Sequence, residues 1–192
     1  MAAAEGGRKL RVLTDIILED VAEFERVSFQ EYYKARSPAA WSAYDSIGEE
    51  GIKDMLFDEW EHIKLPKRST SGSAGYDFYL PHSLLLDESP KMIYTGICCD
   101  IDSSWVLMLF PRSGLGYKYG VRLSNAVGVI DSDYYGNPDN EGHISAKMYA
   151  ADKPVRLDAG DRFMQGVFVP FGIAVADAPL GVRVGGTGST GT

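Results

Sequence analysis

Two textures divide the sequence and predict an all-β barrel or sandwich with a helical N-terminal extension. After Pro66, short apolar runs alternate with Gly, Pro, Asp and Ser: YDFYL, MIYTGICCDI, WVLMLF, VRLSNAVGVI, GHISAKMYA and RFMQGVFVPFGIAV. Many short strands broken by turn residues are the mark of antiparallel all-β architecture. Before Pro66, helix formers dominate, and Ile17, Val21, Phe24 and Val27 recur at the three-and-four spacing of an amphipathic helix.

Taken in order, residues 1–9 are small and polar and read as a disordered tail. Residues 10–65 form the helical extension, with helices expected over 15–35 and 38–60 and a break at Ser37-Pro38, since proline is tolerated in a first helical turn but not inside a helix. The KLRVL stretch ahead of them fits either a strand or the start of the first helix. Residues 66–180 supply the barrel. Residues 181–192, GVRVGGTGSTGT, are Gly-rich and read by composition as a flexible tail.

The 192 residues suit one domain of ordinary size plus an appendage. Acids outnumber bases 27 to 19, for a net charge of -8. That balance argues against broad nucleic-acid binding, which needs a basic surface, while leaving room for a small anion held by a few converging arginines. The adjacent Cys98 and Cys99 are poorly placed for a disulfide and read as reduced thiols in an apolar strand, which favours a cytoplasmic, soluble protein. No run approaches the roughly 18 apolar residues of a membrane span, and none resembles a signal peptide.

Several enzyme classes lack their parts. Gly186-x-Gly188-x-x-Gly191 fits a dinucleotide-binding pattern, yet only Thr192 follows it, so no helix can open there. No lysine completes a phosphate loop, no cysteine pair has zinc spacing, and His62, His82 and His143 are scattered. Pro111-Arg-Ser-Gly-Leu115 can be a simple turn, or a phosphate cradle in which Arg112 offers a planar fork, Ser113 a hydroxyl and Gly114 close backbone approach. Gly128 to Gly136, GVIDSDYYG, places a carboxylate directly after an apolar strand, either as a solvated hairpin or as the mouth of a ligand site.

Five stretches recur in order: Ser73-Ala-Gly-Tyr-Asp77, Pro111-Arg-Ser-Gly-Leu115, Gly128-Val-Ile-Asp-Ser-Asp-Tyr134, Gly160-Asp-Arg-Phe-Met-Gln165 and Gly185-Gly-Thr-Gly-Ser-Thr-Gly191. Singly each is weak. Together, over residues 73 to 191, they resemble the trimeric dUTPase family closely.

The resemblance implies a jelly-roll-like barrel assembled as a homotrimer with active sites between subunits. It implies hydrolysis of dUTP to dUMP and pyrophosphate, which limits uracil incorporation into DNA and supplies dUMP for thymidylate synthesis. In that reading Asp131 is the general base for water attacking the α-phosphorus. Arg112, Ser113 and Gly114 hold phosphate oxygens, and Asp77 orients waters around a Mg2+ ion chelated by the triphosphate. The segment Asn125 to Ile130, with Gly128 and Val129, pairs with uracil and leaves no space for a thymine methyl. Tyr134 packs on the sugar and excludes a 2'-hydroxyl. Gln165 lies near the phosphates, and Arg183, Ser189 and Thr190 close over them from the tail.

The chain departs from the family pattern in four places. Thr187 stands where an aromatic is expected to stack on the base, Arg183 lies one residue nearer the glycines than usual, the third motif runs into NPDNEG, longer than a minimal hairpin, and the helical N-terminal residues exceed the usual family start. The extension reads as a cap over an open barrel edge, or as a surface for a protein partner. Two rival functions share the fold: a dCTP deaminase, which relies on a glutamate where this chain has Asp131, and a regulatory binding protein.

Overall fold

The computed structural model describes residues 10–13 and 16–177. The expected tail over residues 1–9 and the Gly-rich lid with Arg183, Thr187, Ser189 and Thr190 lie outside them.

In chain order the structure begins with β1 (Leu10–Leu13), β2 (Ile16–Glu19) and β3 (Ala22–Arg26). Two helices follow, α1 (Phe29–Ala43) and α2 (Gly48–Glu61), joined by a 3-10 turn at Asp45–Ile47. The β-rich part holds β4 (Lys67–Arg68), β5 (Tyr76–Tyr79), β6 (Leu84–Leu86), β7 (Lys91–Tyr94), β8 (Ile97–Ile101) and β9 (Trp105–Pro111). After the short α3 (Ser113–Tyr119) come β10 (Val121–Leu123), β11 (Gly128–Ile130), a 3-10 turn at Ser132–Tyr134, β12 (Ser145–Ala150), β13 (Val155–Leu157) and β14 (Arg162–Pro170).

All pairings are antiparallel. A five-stranded sheet runs β11-β9-β14-β5-β4 and a three-stranded sheet β10-β12-β7, with β13-β6 and β3-β8 as further pairs. One core cluster draws Phe78, Leu107, Leu109 and Phe163 from the larger sheet and Ile93, Val121, Leu123 and Met148 from the smaller. Burying two apolar sheet faces against each other is the main source of stability for such a fold. Among the described residues no helix is long and apolar enough to cross a membrane.

The N-terminal part corrects two expectations. Residues 16–26 are strands, with β3 pairing the apolar β8 through Phe24↔Cys99 and its neighbours. Helical spacing of apolar residues is a local signal, and here a long-range ladder that covers the β8 edge overrides it. Phe24 then packs edge-on against Phe78, with ring centroids 5.7 Å apart at 89°.

The helix break is not at Ser37-Pro38 either. Pro38 sits inside α1 on its exposed side, where Ser37 and Ala40 are buried, and the chain breaks instead at residues 45–48, with Gly48 at φ 71°. Proline removes one backbone hydrogen bond. Packing of Ala40 against Ile52 and Leu56 of α2 holds the helix together around that gap.

Candidate active site

Three neighbouring strands build the polar end of the five-stranded sheet. β14 pairs with β5 and β9 at once, and its register sets Gln165 opposite both Asp77 and Phe110, one residue before Pro111. The chain then leaves β9 at Arg112, whose extended backbone (φ -65°, ψ 134°) opens α3. The first amides of a helix have no partner within it, and Ser113 and Gly114 at this helix start are both exposed.

Asp77 is the centre of this end. It is 4% exposed. Its Oδ2 accepts from Ser69 Oγ at 2.8 Å and Arg162 Nη1 at 3.1 Å, while Oδ1 pairs with Arg112 Nη1. Burial alone pushes the Asp77 carboxyl up, but hydrogen bonds from Ser69 and Arg112, the Arg112 charge and the Arg162 hydrogen bond hold it below its ordinary value. Gln165 Nε2 lies 3.5 Å from the Pro111 carbonyl, and a Cβ at position 75 would lie 2.6 Å from Gln165 Oε1. Glycine at 75 is therefore what lets the amide lie there.

Beside this cluster an open cleft of about 390 Å³ is lined by Arg112, Gly114, Lys118, Arg156 and Arg162, with Asp161 as its acid. Arg112 and Arg162 share Asp77 as their partner and Arg156 pairs with Asp158, so the cleft concentrates basic side chains on a chain of net charge -8 while part of that charge is already balanced.

Asp131 lies elsewhere. β11 pairs with β9 in the register Gly128↔Leu109 to Ile130↔Leu107, so Asp131 falls level with the start of β9 while Arg112 follows its end. The offset of six residues amounts to about 20 Å along a strand. The structure thus groups Asp77, Arg112, Ser113, Gly114 and Gln165 at one end of β9 and places Asp131, with the 3-10 turn of Tyr134 after it, toward the other, while β11 between them starts at Gly128 opposite Leu109.

The loop that crosses from β10 in the smaller sheet to β11 in the larger one, and the turn after β11, carry the other predicted residues. Asn125 is exposed in that loop, where Ala126 takes φ 64°, and Val129 is 57% exposed on β11, the edge strand of its sheet. Gly128 is buried, its absent Cβ only 3.0 Å from Leu109 Cβ. Asp131 is half-buried and precedes the 3-10 turn. Tyr134 differs from expectation. Its ring is 4% exposed and its hydroxyl donates to the His143 carbonyl at 3.1 Å while accepting from Asn140 Nδ2 at 2.8 Å. In this chain Tyr134 anchors the loop from inside and offers no open face.

Ser69 and Arg162 went unassigned in the sequence. Arg162 stands in the fourth motif stretch, but a register shift between Arg162 and Met164 decides which way it faces. Strand alternation carries no signal for such an irregularity. The cysteines are free and buried in β8, and burial, with Glu25 and Glu141 nearby, pushes the Cys98 thiol up to about 11. That makes it a poor nucleophile.

The dUTPase family model matches residues 61–191, well over half of the chain. The chain belongs to the dUTPase family. It is 44% identical over 133 residues to the deoxyuridine 5'-triphosphate nucleotidohydrolase of Lactococcus lactis, a match covering 67% of this chain and 89% of that one. The Actinobacillus succinogenes protein of the same name is 41% identical over 111 residues, covering 55% of this chain and 70% of its own. Among solved structures, the Streptococcus mutans dUTPase superposes with a TM-score of 0.53 at 45% identity, covering 57% of this chain and 88% of that one. The dUTPase of Staphylococcus aureus phage phi11 shares the dUTPase fold, with a TM-score of 0.51 at 19% identity, over 63% and 92% of the two chains. The mostly β part and the five motif stretches fall within the family match, and α1 precedes it.

Proposed function

We propose that the chain hydrolyses dUTP to dUMP and pyrophosphate in sites completed between subunits of a homotrimer with a jelly-roll-like barrel. The observation that carries this is the strand register: the phosphate cradle and the carboxylate lie at opposite ends of β9, about 20 Å apart, so one chain alone does not assemble the site. A symmetric assembly that sets the Arg112 end of one chain against the Asp131 end of another supplies both halves.

In that site Asp131 takes the proton of a water whose oxygen attacks the α-phosphorus, and the bond from that phosphorus to the bridging oxygen breaks to release pyrophosphate. Arg112, with the Ser113 and Gly114 amides, holds phosphate oxygens and neutralises charge as it builds. The edge of β11 from Gly128 to Ile130 offers backbone donors and acceptors to uracil, with Asn125 in the loop that leads into it. Tyr134, being buried, supports the sugar subsite through the loop it anchors. Arg183, Ser189 and Thr190 would close the site from the Gly-rich segment, residues 181–192.

Magnesium fits this site as a hydrated ion carried by the substrate. Among the described residues no group of three His, Cys, Asp or Glu side chains could cage a metal. Both Asp77 oxygens are engaged, so Asp77 would reach the ion's water shell once Arg112 exchanges it for a phosphate. Bound there, magnesium supplies further charge neutralisation on the triphosphate. The buried free thiols support a reducing, cytoplasmic setting.

The test is turnover of dUTP against dCTP. Pyrophosphate from dUTP without ammonia from dCTP is the expected result, and ammonia release with no pyrophosphate would overturn the assignment in favour of a deaminase.

A further inference from the structure

We propose that the N-terminal segment Glu25 to Lys34 is a clamp that positions the loop carrying Asp131 and Tyr134, with Glu141 and His143 as its positioning residues. This rests on the reading of that loop as the nucleoside half of the site.

The clamp is a run of contacts between two continuous stretches. Tyr135 Oη donates to Glu25 Oε2 at 2.8 Å. Ser28 donates twice to Glu141, its backbone N–H to Oε2 at 2.7 Å and its hydroxyl to Oε1 at 2.6 Å. Lys34 Nζ donates to the Asp139 carbonyl. The His143 ring accepts from the Gly96 N–H at Nε2, 2.8 Å, which leaves its own N–H on Nδ1, 3.2 Å from Glu31 Oε1.

Apart from Gly96, the partners on one side run from the end of β3 through the α1 cap to its first turns, and those on the other lie within residues 135–143. Ser28 is itself the cap of α1, accepting from the Glu31 N–H at 3.2 Å, so the helix start and the loop share one hydroxyl. Glu31 and His143 are 7% and 3% exposed. Buried polar pairs of this kind specify one arrangement, because breaking either leaves a partner unsatisfied.

From this clamp the path to the site is short. The carbonyl of His143 holds the Tyr134 hydroxyl, as does Asn140. The loop is also held in a demanding backbone shape, with Glu141 at φ 57° and Gly142 at φ 77°, where a Cβ on Gly142 would lie 2.5 Å from the Tyr134 carbonyl. Glu141 in that left-handed conformation is kept there by the two Ser28 donors. Asp131 opens the same loop.

The experiment compares the wild-type enzyme with Glu141→Gln, which places an amide against one of the two Ser28 donors, and with Glu31→Leu. Amide hydrogen exchange over residues 132–143 should rise at least tenfold in both variants while β9 and β14 keep their protection. The kcat/KM for dUTP should fall about tenfold, and Glu31→Gln, which keeps an acceptor toward His143, should restore it. Unchanged exchange over 132–143, or exchange raised equally in β9 and β14 together with a lowered melting temperature, overturns the clamp. Should Glu141→Gln not fold, Tyr135→Phe removes the Glu25 contact alone and is read by the same exchange. Exchange needs no substrate, so failure of the wild-type enzyme to turn over dUTP would remove the functional reading and leave the clamp to be decided by exchange.

Discussion

At the scale of residues, Asp77 and Asp131 show how two carboxylates in one chain take different work. Asp77 is enclosed by Arg112, Arg162 and Ser69, and those donors keep it ionised well into acid. Asp131 stands half-buried at a strand end, where a water can reach it. Replacing Asp131 with Asn should lower turnover by roughly 10²- to 10⁴-fold, the usual contribution of a general base, with size and folding intact. Near-normal kcat in steady-state assays of that variant would remove Asp131 from the role. Asp131 was legible in the sequence as the carboxylate directly after an apolar run, whereas Asp77 was legible only through the resemblance of its stretch to a family motif. The arginine and serine that hold Asp77 were not, since a bulge in β14 and the pairing of β4 with β5 bring them there.

At the scale of elements, a small apolar cluster packs α1 against α2, and a buried polar chain links both helices to His82 in the β-rich part. Leu56 and Ile52 are fully buried against Ala40. Leu56→Ala should destabilise the protein by about 2 to 5 kcal/mol through lost contacts and the cavity left behind. Equilibrium denaturation measures this, and a change under about 1 kcal/mol would mean that α2 contributes little to the cooperative fold.

The polar chain runs from Tyr32 through Glu59 and Arg36 to His82. Burial, and then the positive charge of Arg36, hold His82 at about 4. Since its folded value is depressed, its contribution is present above the ordinary value near 6.5 and is lost as pH falls toward about 4, because the unfolded chain takes up the proton first. Melting temperature followed from pH 7 to pH 4 should fall less steeply for His82→Gln than for wild type. Equal slopes would show that His82 does not carry the acid sensitivity.

At the scale of the whole molecule, strand register separates the two halves of the site, and the separation makes a direct prediction. Asp131→Asn and Arg112→Ala proteins, each impaired alone, should regain activity when unfolded and refolded together, because a mixed assembly of the proposed trimeric kind pairs an intact Arg112 from one chain with an intact Asp131 from another. Activity no greater than the sum of the separate variants would place the whole site within one chain. A monomer by size measurement would have the same consequence.

What the sequence by itself determined is the chemistry that depends on neighbours in the chain: the turn after β9 with its arginine, the carboxylate after β11, the mostly β texture beyond Pro66 and the two thiols within one strand. The tertiary structure alone decided that residues 22–26 are a strand on β8 rather than part of a helix, that α1 runs through Pro38, and that Arg162 and Ser69 close on Asp77. It also decided that Tyr134 faces inward. The physical reason is common to these cases. Turn and capping preferences act over a few residues and can be read in order, whereas ladder pairing and burial are long-range terms that override them wherever an apolar edge needs covering.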